Sequence, residues 1–318
     1  MYGTPPLRLV AAVAVAILAV SSVSRLVPGY YLYLMNTLMM FFVLAAGLDL
    51  LLGRAGQFAF AHMAFFGIGC YTSALLRVHF DVSPLLGIPA AAALAALIGT
   101  VIAIPASRLH SIYLALATFA FAEGMHWVFN NWNSVTRGAD GIRLPPAVIL
   151  GTTIEDDAAA FPFLAVVTAI MLMSMVYLLR SRLGRSITAL RESEHVAMAS
   201  GINVPATKTK AFAISACYAG VAGGMFTVYQ SYVSPENFDF NMLILVLSMI
   251  VVGGMGTLPG VIIGVLALGL LPEVLRTVLR SLQIWQEVVY GSILIACMVG
   301  MPLGLWGVMR GAVRRARR

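Results

Sequence analysis

The sequence predicts an all-α polytopic membrane protein, and three observations carry that reading. Of its 318 residues 60% are hydrophobic and only 10% charged, against roughly 45–50% and ~25% in soluble domains. Apolar runs of about 20 residues recur along nearly the whole chain, each long enough to cross a hydrocarbon core of ~30 Å at 1.5 Å per residue. The polar stretches between them leave no room for a water-soluble catalytic domain, so residues 1–318 read as a single transmembrane domain.

The hydropathy pattern gives about ten helices: Leu7–Leu26, Tyr31–Leu52, Phe58–Leu76, Pro84–Ile104, Ile112–Phe129, Phe161–Leu179, Ala211–Tyr232, Met242–Met255, Val261–Leu275 and Val288–Leu305. Arg8, the run Val10–Val20 and the following SSVS have the layout of a secretory signal. The apolar run continues to Leu26 and the next span follows at once, so a retained first helix is expected. The eighth and ninth helices are short and separated by GGMGTLPG at 253–260, a segment that breaks helices and allows a re-entrant pair.

Ten spans put both termini on one side, and the positive-inside rule chooses that side. With the N terminus in the cytoplasm, 14 of the 20 basic residues lie inside and nine of the 13 acids outside. The prediction is N-in and C-in. Residues 130–160 become an acidic extracytoplasmic loop, and residues 180–210 a basic cytoplasmic one. The net charge of +7 is spread between and beside apolar spans, which fits membrane topology and not a nucleic-acid patch. Cys70, Cys217 and Cys297 all fall in apolar runs without metal-type spacing and read as small buried hydrophobes.

No G-x-x-x-x-G-K-[ST] loop, H-E-x-x-H or Cys/His cluster occurs, so neither ATP hydrolysis nor a catalytic metal is expected of this chain. Catalytic residues and bound cofactors are expected to be absent. Gradient-driven carriers keep several ionisable groups in mid-membrane. Here Glu123 is the one acid deep in an expected span, with Asp49 near a helix end, which weakens a secondary-transporter reading. Energy is then expected from a partner.

Within the basic loop, Arg191 to Asn203 reads RESEHVAMASGIN. It can form a short helix with Ser193 as its N-cap and Gly201 as its left-handed stop, exposing Ala197, Ala199 and Ser200. Such a helix either docks into another subunit or lies on headgroups through its arginines. Polar residues inside spans include Gln57, His62, Tyr71, Glu123, His126 and Tyr229, candidates for a translocation path or for bonds to neighbouring helices. Glycines 67, 69, 220, 223 and 224 suit close helix contact.

The pattern Glu194, then small and apolar residues, then Gly201-Ile202-Asn203 resembles the coupling loop of bacterial ABC importer permeases, in the branched-chain amino acid permease family of LivM type. The resemblance extends through AGQFAFAHMAFFGIGCYTSALL at Ala55–Leu76, SIYLALATFAFAE at Ser111–Glu123, Leu183–Phe226, YVSPENF at Tyr232–Phe238 and VVGGMGTLPGVIIGVL at Val251–Leu266. Glu194, Gly201, Ile202 and Asn203 match the coupling positions; Gly56, Gln57 and Gly67 match the third-helix motif, and Ser234 and Pro235 the external turn. His195-Val196 departs from the usual apolar-alanine step, and MPLGLWG at 301–307 lacks a basic residue near Leu303.

The resemblance implies a permease subunit in a bacterial inner membrane that moves branched-chain or other hydrophobic amino acids inward. Its implied partners are a homologous second permease, two cytoplasmic ATPases that hold the ATP, an extracytoplasmic binding protein, and the surrounding lipid. Coupling would run through Arg191, Ser193, Glu194, Ala197, Gly201, Ile202 and Asn203. A permease of the same type for urea or short amides is the alternative, and a gradient-driven carrier the more distant one.

Overall fold

The computed structural model describes residues 28–109, 111–149, 151–278, 291, 292, 295 and 304–316. The expected helix Leu7–Leu26, most of Val288–Leu305, and Arg317 and Arg318 lie outside the described residues. Helix α1, Gly29–Asp49, runs on into a π-helical turn at Leu50–Arg54. Helices α2 (His62–Phe80), α3 (Pro84–Ala106) and α4 (Ser111–Asn131) follow. Ser83 caps α3, its Oγ accepting from the Leu85 N–H at 3.4 Å, with Pro84 at the first helical position.

Helix α5 is Asp157–Arg180, and two short helices, α6 (Arg182–Glu192) and α7 (Glu194–Ala199), make a polar hairpin behind it. The bundle is completed by α8 (Val204–Tyr229), α9 (Phe240–Gly253), α10 (Leu258–Val278) and α11 (Gly304–Ala316). Six apolar segments among the described residues are long enough to cross a membrane. This is a multi-pass membrane fold.

Four short strands qualify the all-α expectation: β1 (Ile142–Arg143), β2 (Ala147–Ile149), β3 (Thr152–Ile154) and β4 (Tyr232–Val233). β1 pairs antiparallel with β4, Ile142 opposite Val233, and β2 with β3, Val148 opposite Thr153. Together with the turns around 132–141 they form a cap over one end of the bundle. The hairpin occupies the other end.

The expected boundaries shift where local chemistry overrides hydropathy. Helix α2 starts at His62 and not at Phe58, because Gly56 takes a left-handed φ of 66° and the chain then runs without regular structure to Phe60. Helix α8 starts at Val204 and not at Ala211. The Asn203 side chain caps it, accepting from the Ala206 N–H at 3.1 Å, and the polar turn through Lys210 is helical. The basic stretch 180–210 is therefore a structured hairpin over 181–203, flanked by long helices. Helix α9 has 14 residues and, with the turn before it, makes the 19-residue apolar segment Pro235–Gly253, while α10 has 21. Phe238, just before α9, packs on Phe66 and Tyr71 of α2 with ring centroids 5.5 and 5.6 Å away, so α9 begins inside the bundle.

Helix α8 lies at the centre, against α1, α2 and α3. Small residues let the backbones meet, which substitutes for the hydrophobic drive that lipid cannot supply. A Cβ on Gly220 would sit 2.6 Å from the Ala91 carbonyl oxygen of α3, and one on Gly69 would sit 2.7 Å from the Gly220 Cα. Replacing Gly220 with Ala should therefore destabilise the fold by about 1–3 kcal/mol. Gly124→Ala, on a helix face with nothing within 4 Å, should instead stabilise by up to about 1 kcal/mol. Thermal unfolding midpoints of the two purified variants check the contrast.

Candidate functional site

The hairpin is held by its own caps and a small apolar core. Ser181 Oγ accepts from the Gly184 N–H at 3.1 Å and starts α6. Ser193, in extended backbone, breaks the chain and caps α7, accepting from the Val196 N–H at 3.4 Å. Gly201 stops α7 with a left-handed φ of 79°, and the Ile202 N–H donates back to the Ala197 carbonyl at 3.0 Å. Leu190, Ala197 and Val204 close over one another, with Ala189 and Ile202 against them.

This packing corrects the expected docking face. Ala197 is 2% exposed and points into the hairpin, whereas Val196 and Met198 are 65% and 50% exposed. Ala199 and Ser200 are exposed as expected. Arg191 belongs to the preceding helix α6, not to α7. Glu194 forms an ion pair with Lys208 of α8 at 2.6 Å, so its carboxylate ties α7 to the central helix.

Arg191 turns toward the bundle. Its Nη1 donates to the Gly53 carbonyl in the π-turn, and the guanidinium lies beside Gly256. Asp49 joins the same cluster: one oxygen accepts from the Gly256 N–H at 2.6 Å, the other lies 3.5 Å from Arg54 Nε, and Arg191 is near enough to attract it. A side chain on Gly53 would collide with the Gly256 backbone nitrogen as well as the Asp49 carboxylate, so glycine is needed there. The hairpin, the end of α1 and the α9–α10 turn thus share one polar junction. Asp49, Gly53, Arg54 and Gly256 were not singled out as a site from sequence. The available signal was a lone acid at an apolar helix end, and the turn that pairs with it lies 207 residues away.

The expected path residues do not form one constellation. His62 is buried with both ring nitrogens engaged, one 2.9 Å from the Leu44 carbonyl and the other 3.2 Å from Ser215 Oγ, a structural arrangement. Glu123 is exposed on the outer face of α4, and His126, one turn on, pairs with Asn130 at 3.3 Å. Gln57, Tyr71 and Tyr229 are enclosed, and each keeps a buried polar atom without a hydrogen bond. Among the described residues no three His, Cys, Asp or Glu side chains group as a metal site.

At the cap end a cavity of about 290 Å³ opens between α2, α5, α8 and the β2–β3 hairpin. Arg77, Asp156, Asp157 and Tyr229 are among its walls. Arg77 Nη2 donates to Thr227 Oγ1 at 3.2 Å, and Thr227 Oγ1 lies 3.0 Å from Ser73 Oγ. Asn36 holds Asp157, donating to its backbone carbonyl at 3.1 Å and to its carboxylate at 3.4 Å.

A membrane-spanning helical bundle with an ordered polar hairpin at one end and a polar cavity at the other fits a transport permease, and relatives of known class are of that kind. The chain belongs to the family described as "Branched-chain amino acid transport system / permease component", which it matches over residues 30–298. It is 30% identical over 296 residues to the high-affinity branched-chain amino acid transport system permease protein LivM of Escherichia coli K12, covering 86% of this chain and 69% of that protein. The LivM of Salmonella typhimurium LT2 gives the same identity and coverage. The LivH permease protein of that Salmonella strain is 29% identical over 281 residues, covering 83% of this chain and 90% of its own. No solved structure matches the chain.

Arg191→Ala should loosen the hairpin by about 1–3 kcal/mol, since it leaves a buried carbonyl and Asp49 less satisfied. Amide hydrogen exchange over residues 182–203 should accelerate in that variant. Arg182→Ala, at an exposed position whose side chain makes no hydrogen bond or ion pair among the described residues, should leave the exchange unchanged.

Proposed function

We infer that this chain is the transmembrane permease subunit of an ATP-driven importer, carrying branched-chain or other hydrophobic amino acids inward across a bacterial plasma membrane. The observation that carries the reading is the hairpin at 181–203, an ordered polar structure that presents Val196 and Met198 to solvent at the basic end of an otherwise apolar bundle. The chain has no nucleotide-binding motif of its own. Two ATPase subunits on the hairpin side would hold the ATP, and a binding protein would deliver substrate to the cap.

By the positive-inside rule the charge distribution supports a cytoplasmic hairpin, cytoplasmic termini and an external acidic cap. ATPase closure would press on α7, and the pair Glu194–Lys208 and the Arg191 junction would pass the displacement to α8 and to the α9–α10 turn. The membrane body then has two states, each favoured by the ligand at one end. The likeness to LivM and LivH, proteins named for branched-chain amino acids, favours that substrate class over urea or amides. The engagement of His62 and the outward placement of Glu123 favour a partner-driven permease over a gradient-driven carrier, which needs an internal relay.

Glu123 also supports a second permease subunit. Leu116, Ala120, Glu123 and Trp127 share the exposed face of α4 at helical spacing. A carboxylate facing lipid there costs ~2.5–3.5 kcal/mol at the bilayer centre, whereas a homologous partner can cover and pair it. We assign this face to the heterodimer contact.

Uptake by the reconstituted importer tests the coupling reading. Glu194→Lys should lower ATP-driven uptake by about tenfold with the permease still folded. The charge-swapped double variant Glu194→Lys with Lys208→Glu should recover most of it, because the pair's task is to hold α7. Val196→Glu should uncouple without such rescue. Unchanged uptake in Glu194→Lys and Val196→Glu would rule out the hairpin as the docking element.

A further inference from the structure

The cavity at the cap end carries opposite charges that lack counter-ions. Arg77 is 5% exposed, and its guanidinium bonds only to neutral oxygens, Thr227 Oγ1 at 3.2 Å and the Pro145 carbonyl at 3.4 Å. Among the described residues no carboxylate lies within 4 Å of it. A buried cation without an opposite charge is costly, and Arg77 lies in the wall of a cavity. Around that cavity stand Asp157, half-buried, and the exposed Glu155 and Asp156, none with a basic partner among the described residues. Asn36 fixes Asp157 in place. The buried hydroxyl of Tyr229, another wall residue, makes no hydrogen bond.

A ligand that satisfies these walls carries an anion and a cation close together. The volume, about 290 Å³, lies just below the ~300–1,000 Å³ range of small-molecule pockets, which suits a ligand as small as a free amino acid. We propose that this cavity is an entry subsite for a zwitterionic amino acid, its α-carboxylate on Arg77 and its α-ammonium on the carboxylates at the head of α5. The proposal rests on the inward-transport reading above, which sets the cap outside, and it adds the place where the permease first holds its substrate. Guanidinium and carboxylate are the matching groups for the two ends of that ligand. Because Thr227 and Tyr229 belong to α8, occupancy here bears on the same helix that the hairpin grips.

Thiol labelling of Ser231→Cys, at an exposed wall residue, tests the subsite in the whole importer held in vesicles. The chain with Ser231 intact serves as the blank for its native cysteines. Leucine should slow labelling by the factor 1 + [L]/Kd, about tenfold at ten times its Kd. Isoamylamine and 4-methylpentanoate, each bearing one of the two charges, should not protect at the same concentration. Arg77→Gln and Asp157→Asn should each raise the protecting concentration about tenfold or more, and Arg77→Lys should retain protection.

Equal protection by either singly charged analogue, no protection by leucine, or full protection in both charge-neutral variants would overturn the subsite. So would slow labelling in phosphatidylethanolamine vesicles without amino acid, which would give the cavity to a lipid headgroup. Uptake measured in the same vesicles separates the two readings. Leucine uptake without protection sinks the subsite alone, whereas protection without ATP-driven uptake sinks the importer reading and keeps the subsite.

Discussion

The structure depends on the close approach of three backbones where α8 passes between α2 and α3. In a membrane the burial of apolar side chains gives no net drive between helices, so dispersion contacts at short range must hold the bundle. Gly69, Gly220 and Gly223 remove the side chains that would keep these helices apart, and Ala91, Ala92 and Ala95 fit against Gly220. The Cys70 thiol donates to the Gly223 carbonyl at 3.3 Å in the same contact. Helix α8 is thereby fixed along its length, and both the hairpin and the cap-end cavity are attached to its ends.

At the hairpin end the attachment is polar. Lys208 holds Glu194, Asn203 caps the helix, and Val204 closes the small core under α7. A half-exposed ion pair contributes less than about 1 kcal/mol on its own. Its value lies in geometry, since together with the caps it leaves α7 one orientation. The Arg191 junction adds a second attachment, to α1 and the α9–α10 turn, so the hairpin meets the bundle at two separate places. At the cap end the same helix contributes Val228 and Tyr229 to a cavity whose other walls come from α2, α5 and the β2–β3 hairpin, and Thr227 holds the Arg77 guanidinium there. One rigid shaft therefore joins the surface suited to a partner with the surface suited to a solute.

Much of this was legible in the chain. The apolar runs mark the helices because a bilayer demands about 20 apolar residues, and the positions of Ser193 and Gly201 mark the ends of α7 because backbone groups at helix ends need those side chains. The roles of single residues were less legible. Arg191, Glu194 and Ala197 all fall in the recognised segment, yet Arg191 turns inward to Gly53, Glu194 pairs with Lys208 and Ala197 is buried. Glu123 stood out as a deep acid, but helical phase puts it on the outer face of α4. Arg77 is one of the six basic residues the charge count leaves outside, and nothing near it in sequence shows that Asp157 and Tyr229 line the same space.

The sequence by itself determined the membrane class, the family, the order of the helices and the place of the hairpin, because each follows from local composition or from short motifs. Tertiary structure alone decided which polar groups meet: Asp49 with Gly256, Glu194 with Lys208, and Arg77 across a cavity from Asp157. Those meetings depend on how far α8 sinks between α2 and α3. That depth is set by side chains whose sizes only matter once the helices are in contact.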